Sequence, residues 1–474
     1  MRIQTFTPPF TVASPASRPQ APLRQLYRAL LDEPLDDATR NASAAFLAEQ
    51  LQQAAGLHCD LPAQPEQLFD WVDAHTAAVG DNYRDYLAAR KNGQKRRYFP
   101  RKAHALAFLR AVAPTKLVDG AWLYSTLSQA QDPRFHNLIR TYLEELGDGD
   151  AGKNHVLLYR KLLASHECED LEGLPDAFYL QGCIQLSLAH HGERYLPEVI
   201  GFNLGYEQLP LHLLITAYEL NELGIDPYYF TLHVTVDNAA SGHARKAVQA
   251  VLDLLPEEPA EAREFLRRVA LGYRLNDLGI GTCEAIAGFD LEQELIDILI
   301  AKAKVGQYLH SDYCRIAGQT VNHWLSEPAR MPEFLELLQS GGWIKRGQPV
   351  SNSRFWKLID GERAEMFGVF NAYERQVLHD WILGDGEISE AAPRSIGTTR
   401  TFRQQLRANQ RLACMAMPSA ASRAPAELEQ TLAGLDPLQR GTRMLKLLSP
   451  AHHHSEAGLQ ATRLFAHNLT AAVQ

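Results

Sequence analysis

Apolar residues recur at helical spacing over much of this chain, in Leu23–Leu31, Leu106–Val112, Ala247–Leu255 and Leu291–Ile300. That spacing restricts the fold more than any other feature, because side chains three and four apart share one face of an α-helix. Strand-type alternation bounded by hairpin turns is scarce. The expected class is therefore all-α, with Pro- and Gly-marked breaks between helices. No internal repeat and no glycine-rich nucleotide loop is present, so nucleotide binding has no support.

With 474 residues the chain can bury a large core and divide into two or three domains. Its net charge of −9 speaks against a general nucleic-acid binder. No apolar run approaches the ~20 residues that span a bilayer. The first residues, MRIQTFTPPFTVASPASRPQAP, lack the apolar core of a secretory signal and read as an extended tail. Six cysteines (Cys59, Cys168, Cys183, Cys283, Cys314, Cys414) are scattered without a CxxC pair. This fits reduced core residues of a cytoplasmic protein better than a disulfide framework.

Three stretches carry chemistry. LHVTVDNAASGHA (Leu232–Ala244) places His233 and Asp237 four apart, on one helical face. His243 is six beyond Asp237, so a helix must loosen near Ser241-Gly242 to bring it back. A helix end with two surface histidines would leave the same pattern. In TYLEELGDGDAGKNHVLLYRKLL (Thr141–Leu163), Glu145 closes one helix and His155 opens the next, and the short loop could return both to one site. GDGDAGKN lacks the ligand alternation of a calcium loop. Glu207 sits in the apolar run Val199–Leu214, where a carboxylate is costly unless paired or metal-bound. Pro210 would kink that helix just before Leu211. Glu219 and Glu222 have the phase of the solvated side.

Other features suit ordinary structure. APTKLVDGAWLY (Ala113–Tyr124) reads as a turn at its Pro and Asp-Gly entering an apolar helix, with Trp122 in the core. KNGQKRRYFPRK (Lys91–Lys102) reads as a solvated basic face, or else as a clamp for acidic groups. Arg245 and Lys246 offer the same choice between solvent and a substrate carboxylate. Trp324, Trp343, Trp356 and Trp381 are expected in the core. GDGEISEAAPRSIGTTR reads as a linker, and His452, His453 and His454 as surface residues of an internal loop.

Together Glu145, His155, Glu207, His233, Asp237 and His243 make three carboxylates and three imidazoles on four helical elements. Such a set suits two non-haem irons inside a helix bundle. The order Glu–x9–His, then Glu, then His–x3–Asp–…–His resembles the haem-oxygenase-like non-haem diiron oxidases and oxygenases, the iron-containing redox enzyme family. The resemblance runs from about Ala113 to His310, with HVTVDNAASGHA its most specific part. It extends more weakly through GGWIKRGQPVSNSRFWKLIDG and MFGVFNAYERQVLHDWI to MLKLLSPAHHHSEAGLQATRLF. The family's last Asp and His are three apart, against six here.

The resemblance implies a haem-oxygenase-like helical bundle over 116–310. An N-terminal tail and helical unit (1–115) and a C-terminal helical extension (311–474) would flank it. It implies two Fe ions cycling between Fe2+ and Fe3+ on the six named residues, O2 as cosubstrate, and no catalytic residue beyond the ligands. The implied reaction is N-oxygenation, or oxidative C–C cleavage or decarboxylation, of a small amino-acid-derived substrate in specialised-metabolite biosynthesis. A homodimer and an external electron donor complete the expectation, with neither nucleic acid nor membrane as partner. A haem protein with a lone axial histidine and a non-catalytic helical metal-binding or scaffold protein are the alternatives.

Overall fold

The computed structural model describes residues 22–32, 34–236, 242–361, 364–384, 432 and 434–473, the side chains of 235, 236 and 470–473 excepted. The N-terminal tail, Asp237, Cys414 and the linker beyond Gly384 lie outside the described residues. The fold is all-α as the spacing predicts, and the only strands among the described residues are a two-residue antiparallel pair, Arg315–Ile316 (β1) and Gln319–Thr320 (β2).

The first described helices are α1 (Leu23–Leu31), α2 (Asp37–Ala54), α3 (Leu68–Lys91) and α4 (Lys102–Lys116). The centre follows with α5 (His136–Glu145), α6 (His155–Ala164), α7 (Leu180–His191), α8 (Leu196–Tyr206), α9 (Leu211–Glu222), α10 (Tyr228–Val236), α11 (His243–Asp253) and α12 (Pro259–Arg274). Then come α13 (Thr282–Ala287), α14 (Leu291–Gly306), α15 (Val321–Ser326), α16 (Met331–Ser340), α17 (Arg354–Ile359), α18 (Ala372–Leu383), α19 (Pro437–Leu447) and α20 (Glu456–Val473). Asp36, Asn154, Asp290, Asn371 and Asp436 each accept a backbone N–H at the start of the helix they precede. Such caps satisfy donors that the first turn leaves unpaired.

Glycine sets the closest packing. On α8 and α12, a Cβ at Gly201 would strike the Val269 carbonyl and one at Gly272 the Glu198 carbonyl, so only glycine lets these backbones touch. That contact fixes α8, whose C-terminal end carries Glu207. The core is continuous. It includes Trp122, Trp324, Trp356 and Trp381 as expected, whereas Trp343 is only half-buried. Cys168 and Cys183 are buried, but Cys283 and Cys314 are exposed, so not all cysteines are core residues.

Two local expectations fail for physical reasons. Pro114 stays within the last turn of α4 and marks no turn; the break comes at Asp119-Gly120. Glu219 is fully buried, not solvated. It accepts the Tyr86 hydroxyl and the backbone N–H groups of Arg97, Tyr98 and Phe99 at 2.5–2.9 Å. Glu222 pairs with Arg90 at 2.7 Å. The basic run Lys91–Lys102 is thus anchored from below by acids on α9.

Candidate metal centre

The centre begins where α5 ends. Glu145 is the last residue of α5 and His155 the first of α6. Between them Gly147, Asp148 and Gly149 all have left-handed backbone (φ 67°, 52° and 78°), which reverses the chain within three residues. Asn154 then starts α6 by accepting the Leu157 N–H at 3.0 Å. The outcome is the return that the short loop suggested. His155 Nδ1 lies 2.5 Å from Glu145 Oε2, with both side chains buried.

A third residue joins them that sequence reasoning passed over. Asp119, 2% exposed, directs Oδ2 to 3.3 Å from His233 Nε2 and 3.7 Å from His155 Nδ1. The Tyr206 and Tyr229 hydroxyls donate to its two oxygens at 2.7 and 2.6 Å, and Lys116 Nζ is 3.9 Å away. The signal was present in Asp119-Gly120, which reads as a surface turn. The turn is real, with Gly120 at φ 81°, but it points inward. A Cβ on Gly120 would sit 2.8 Å from Glu145 Cβ, so glycine is what admits Glu145 beside Asp119.

His233 lies on α10. Its Nδ1 donates to the Tyr229 carbonyl one turn back at 2.8 Å, which turns Nε2 toward Asp119 Oδ2 at 3.3 Å. Outer hydrogen bonds of this kind fix the tautomer and ring angle of a metal-binding histidine. Asp119, Glu145, His155 and His233 each offer one donor atom, all within 4.8 Å of one another.

A second group forms on the other side of Glu145. Glu207 does not lie inside a helix: α8 ends at Tyr206 and α9 starts after Pro210, so Glu207 caps a break. His243 likewise is not on the helix of His233. Gly242 is extended (ψ −176°) and His243 opens α11, so at this point a true helix break replaces the expected loosening. His243 Nδ1 lies 3.0 Å from Glu207 Oε2 and 3.3 Å from Glu145 Oε1. Its Nε2 is 2.7 Å from Glu144 Oε2, which also takes Lys246 Nζ at 2.5 Å. Lys246 therefore serves a protein carboxylate, and Arg245 pairs with Asp73 at 3.0 Å. Glu145 uses Oε2 toward one group and Oε1 toward the other.

The electrostatics call for cations. Asp119, Glu145 and Glu207 are each at most 3% exposed, and the nearest lysine ammonium is 3.9 Å from one of them. Buried carboxylates without compensating charge are costly. Burial disfavours a charged His155, yet the Glu145 and Asp119 carboxylates overcome it and push its imidazole up to about 10. Burial likewise opposes the Glu145 anion, but His155 and His243 bring it down to about 2. For Asp119, Lys116, His155 and His233 outweigh burial and hold the carboxyl well below its usual range.

The donor set fits iron. It is all imidazole and carboxylate, the mixture suited to non-haem iron. His155 Nδ1 makes no hydrogen bond of acceptable geometry despite its proximity to Glu145. Two buried atoms this close without an aligned hydrogen bond are placed as ligands converging on a common ion would be. A cleft of about 720 Å³ lies elsewhere, between Arg101, His104, Phe289, Arg346 and Trp381, and holds none of these donors. Chemistry locates this centre better than volume does.

Of the six residues expected as ligands, the structure gathers Glu145, His155, Glu207, His233 and His243; Asp237 lies outside the described residues. Asp119 and Glu144 were not anticipated. His453, expected at the surface, is 1% exposed, and its Nδ1 lies 3.1 Å from Asn154 Nδ2. Among the described residues no helix is long and apolar enough to cross a membrane.

Neither a curated protein nor a solved structure matches the chain. The family of iron-containing redox enzymes does match, over residues 106–277, a stretch that holds Asp119, Glu144 and all six expected ligands. Over residues 106–277 the chain is thus similar to the iron-containing redox enzymes, a likeness that supports an oxidoreductase.

Proposed function

We propose that the chain is a non-haem diiron oxygenase or oxidase. In this reading it uses O2 on a small amino-acid-derived substrate, by N-oxygenation or by oxidative C–C cleavage or decarboxylation, in the making of a specialised metabolite. The observation that carries the two-metal reading is Glu145, whose two oxygens face two separate groups of buried donors. Asp119, Glu145, His155 and His233 would hold one iron. Glu145, Glu207 and His243 would hold the other, with Asp237 as the further carboxylate that the resemblance assigns.

Bound iron would supply O2 activation at coordination positions that the protein leaves open. The chain's own residues prepare that chemistry. The Tyr206 and Tyr229 hydroxyls hold Asp119 in place. The Tyr229 carbonyl keeps the proton of His233 on Nδ1, and Glu144 takes the outward nitrogen of His243. Burial of Asp119, Tyr229, His233 and His243 keeps bulk water from them. The substrate class, an external electron donor, a homodimer and a cytoplasmic setting without nucleic acid or membrane partners belong to this reading through the resemblance and the composition.

The test is an anaerobic ferrous titration followed by O2, with optical and Mössbauer readout, on wild type and His233→Ala. Uptake of about two irons per chain and a transient absorption after O2 are expected, both diminished in the variant. Absence of iron uptake by wild type would sink the reading and leave a helical scaffold with buried polar pairs.

A further inference from the structure

The loop between Glu145 and His155 is braced from far along the chain. α20 packs against the Gly147–Gly149 turn, and Arg463 Nε donates to the Gly149 carbonyl at 3.0 Å. A Cβ on Gly149 would collide with the Leu459 carbonyl, so turn and helix meet backbone to backbone. On α5, the Tyr142 hydroxyl donates to the Leu448 carbonyl at 2.6 Å. At the start of α6, the Asn154 amide is used completely. Its Oδ1 accepts the Leu157 N–H, and its Nδ2 donates to the Leu146 carbonyl at 3.2 Å and to His453 Nδ1 at 3.1 Å.

These partners fix one another. Because Asn154 Oδ1 faces a backbone N–H, Nδ2 must be the atom turned to His453. His453 Nδ1 must therefore accept, which places the imidazole proton on Nε2. The next residue after Asn154 is His155. A rotation of Asn154 would shift the first turn of α6 and swing His155 Nδ1 away from Glu145.

We propose that the segment from Leu445 to Arg463 is part of the iron-holding apparatus, with His453 as a positioning residue that sets His155 through Asn154. The histidine run of this segment is then neither a separate metal site nor a surface feature. The inference rests on the two-iron reading above. It goes beyond it by assigning a role in iron retention to a region outside the family match at residues 106–277.

The experiment uses the full chain as wild type, His453→Ala, His453→Gln and Arg463→Met. Ferrous affinity and stoichiometry are measured anaerobically, and amide hydrogen exchange is followed in the iron-free protein. In His453→Ala, affinity for the iron at the Asp119 group should fall about 10–100-fold, the range for loss of an outer partner of a ligand. Exchange should quicken over residues 146–157 while other helices stay protected. His453→Gln retains an acceptor and should recover most of the affinity, which general loosening of the fold would not produce. Arg463→Met removes the other brace from an exposed side chain. It should weaken the same iron, and it decides the matter if His453→Ala does not fold. Wild-type affinity in His453→Ala, or in Arg463→Met where that variant stands in, overturns the proposal. A wild type that takes up no iron overturns the two-iron reading and this inference together.

Discussion

The two donor groups that share Glu145 are supported differently. Around Asp119, His155 and His233 the support is mostly neutral: the hydroxyls of Tyr206 and Tyr229 and the backbone carbonyl of Tyr229. Around His243 it is ionic and nearer to solvent. Glu144 and Lys246 have side chains 26% and 22% exposed, and Arg140 approaches Glu144 at 3.1 Å. Neutral hydrogen bonds in an apolar interior hold geometry without salt dependence, whereas partly exposed ion pairs are screened by salt. On the two-iron reading, the first group would retain its ion. The second adjoins the surface and is the side on which exchange with solvent is easier.

The largest expected effect comes from removing what the groups share. Glu145→Ala should abolish tight binding of both irons, read as metal per chain after desalting; one tightly held iron would show that the carboxylate is not common to the two. Next, His233→Ala and His243→Ala should each leave about one iron per chain but different ones, distinguishable by Mössbauer parameters. Identical residual spectra would collapse the distinction between the groups. Asp119→Asn keeps the shape and hydrogen bonds but removes the charge. It should weaken only the first iron, about 10–100-fold, in a competitive chelator titration; unchanged affinity would make Asp119 a bystander.

The smallest effect is on the iron-free protein and has opposite signs for the two groups. His155, raised to about 10, contributes stability that is complete below its ordinary value of 6.5 and lost as pH rises through about 10. In Glu144 burial raises the carboxyl, but His243 and Lys246 bring it down to about 2. Its contribution is therefore present above 4.5 and lost as pH falls toward about 2. Melting temperature against pH should lose its alkaline fall in His155→Gln and part of its acid fall in Glu144→Gln. Glu145 sustains the remainder of the acid fall. A variant that flattens the other limb would reverse the assignment.

Much of the centre was legible in the chain because its helical residues obey spacing. Glu145 and His155 flank a glycine-marked reversal, and Glu207 is a lone acid in an apolar run. What spacing cannot convey is what covers a residue from elsewhere. Glu219 has the phase of a solvated face, yet the backbone of Arg97–Phe99 folds over it and supplies three donors. Asp119 lies in a turn, where side-chain direction follows no helical period. His453 reads as one of three polar residues after a proline, and only its partner 299 residues earlier shows why it is buried.

That separation has a consequence in time. A ribosome that has just made Asn154 must add 299 more residues before His453 exists, which takes roughly 15–60 s at ordinary synthesis rates. Throughout that interval the Glu145–His155 loop has emerged without its distant brace. On the two-iron reading, a nascent chain would be a poor competitor for iron, and the metal would enter a polypeptide whose synthesis has already passed Arg463.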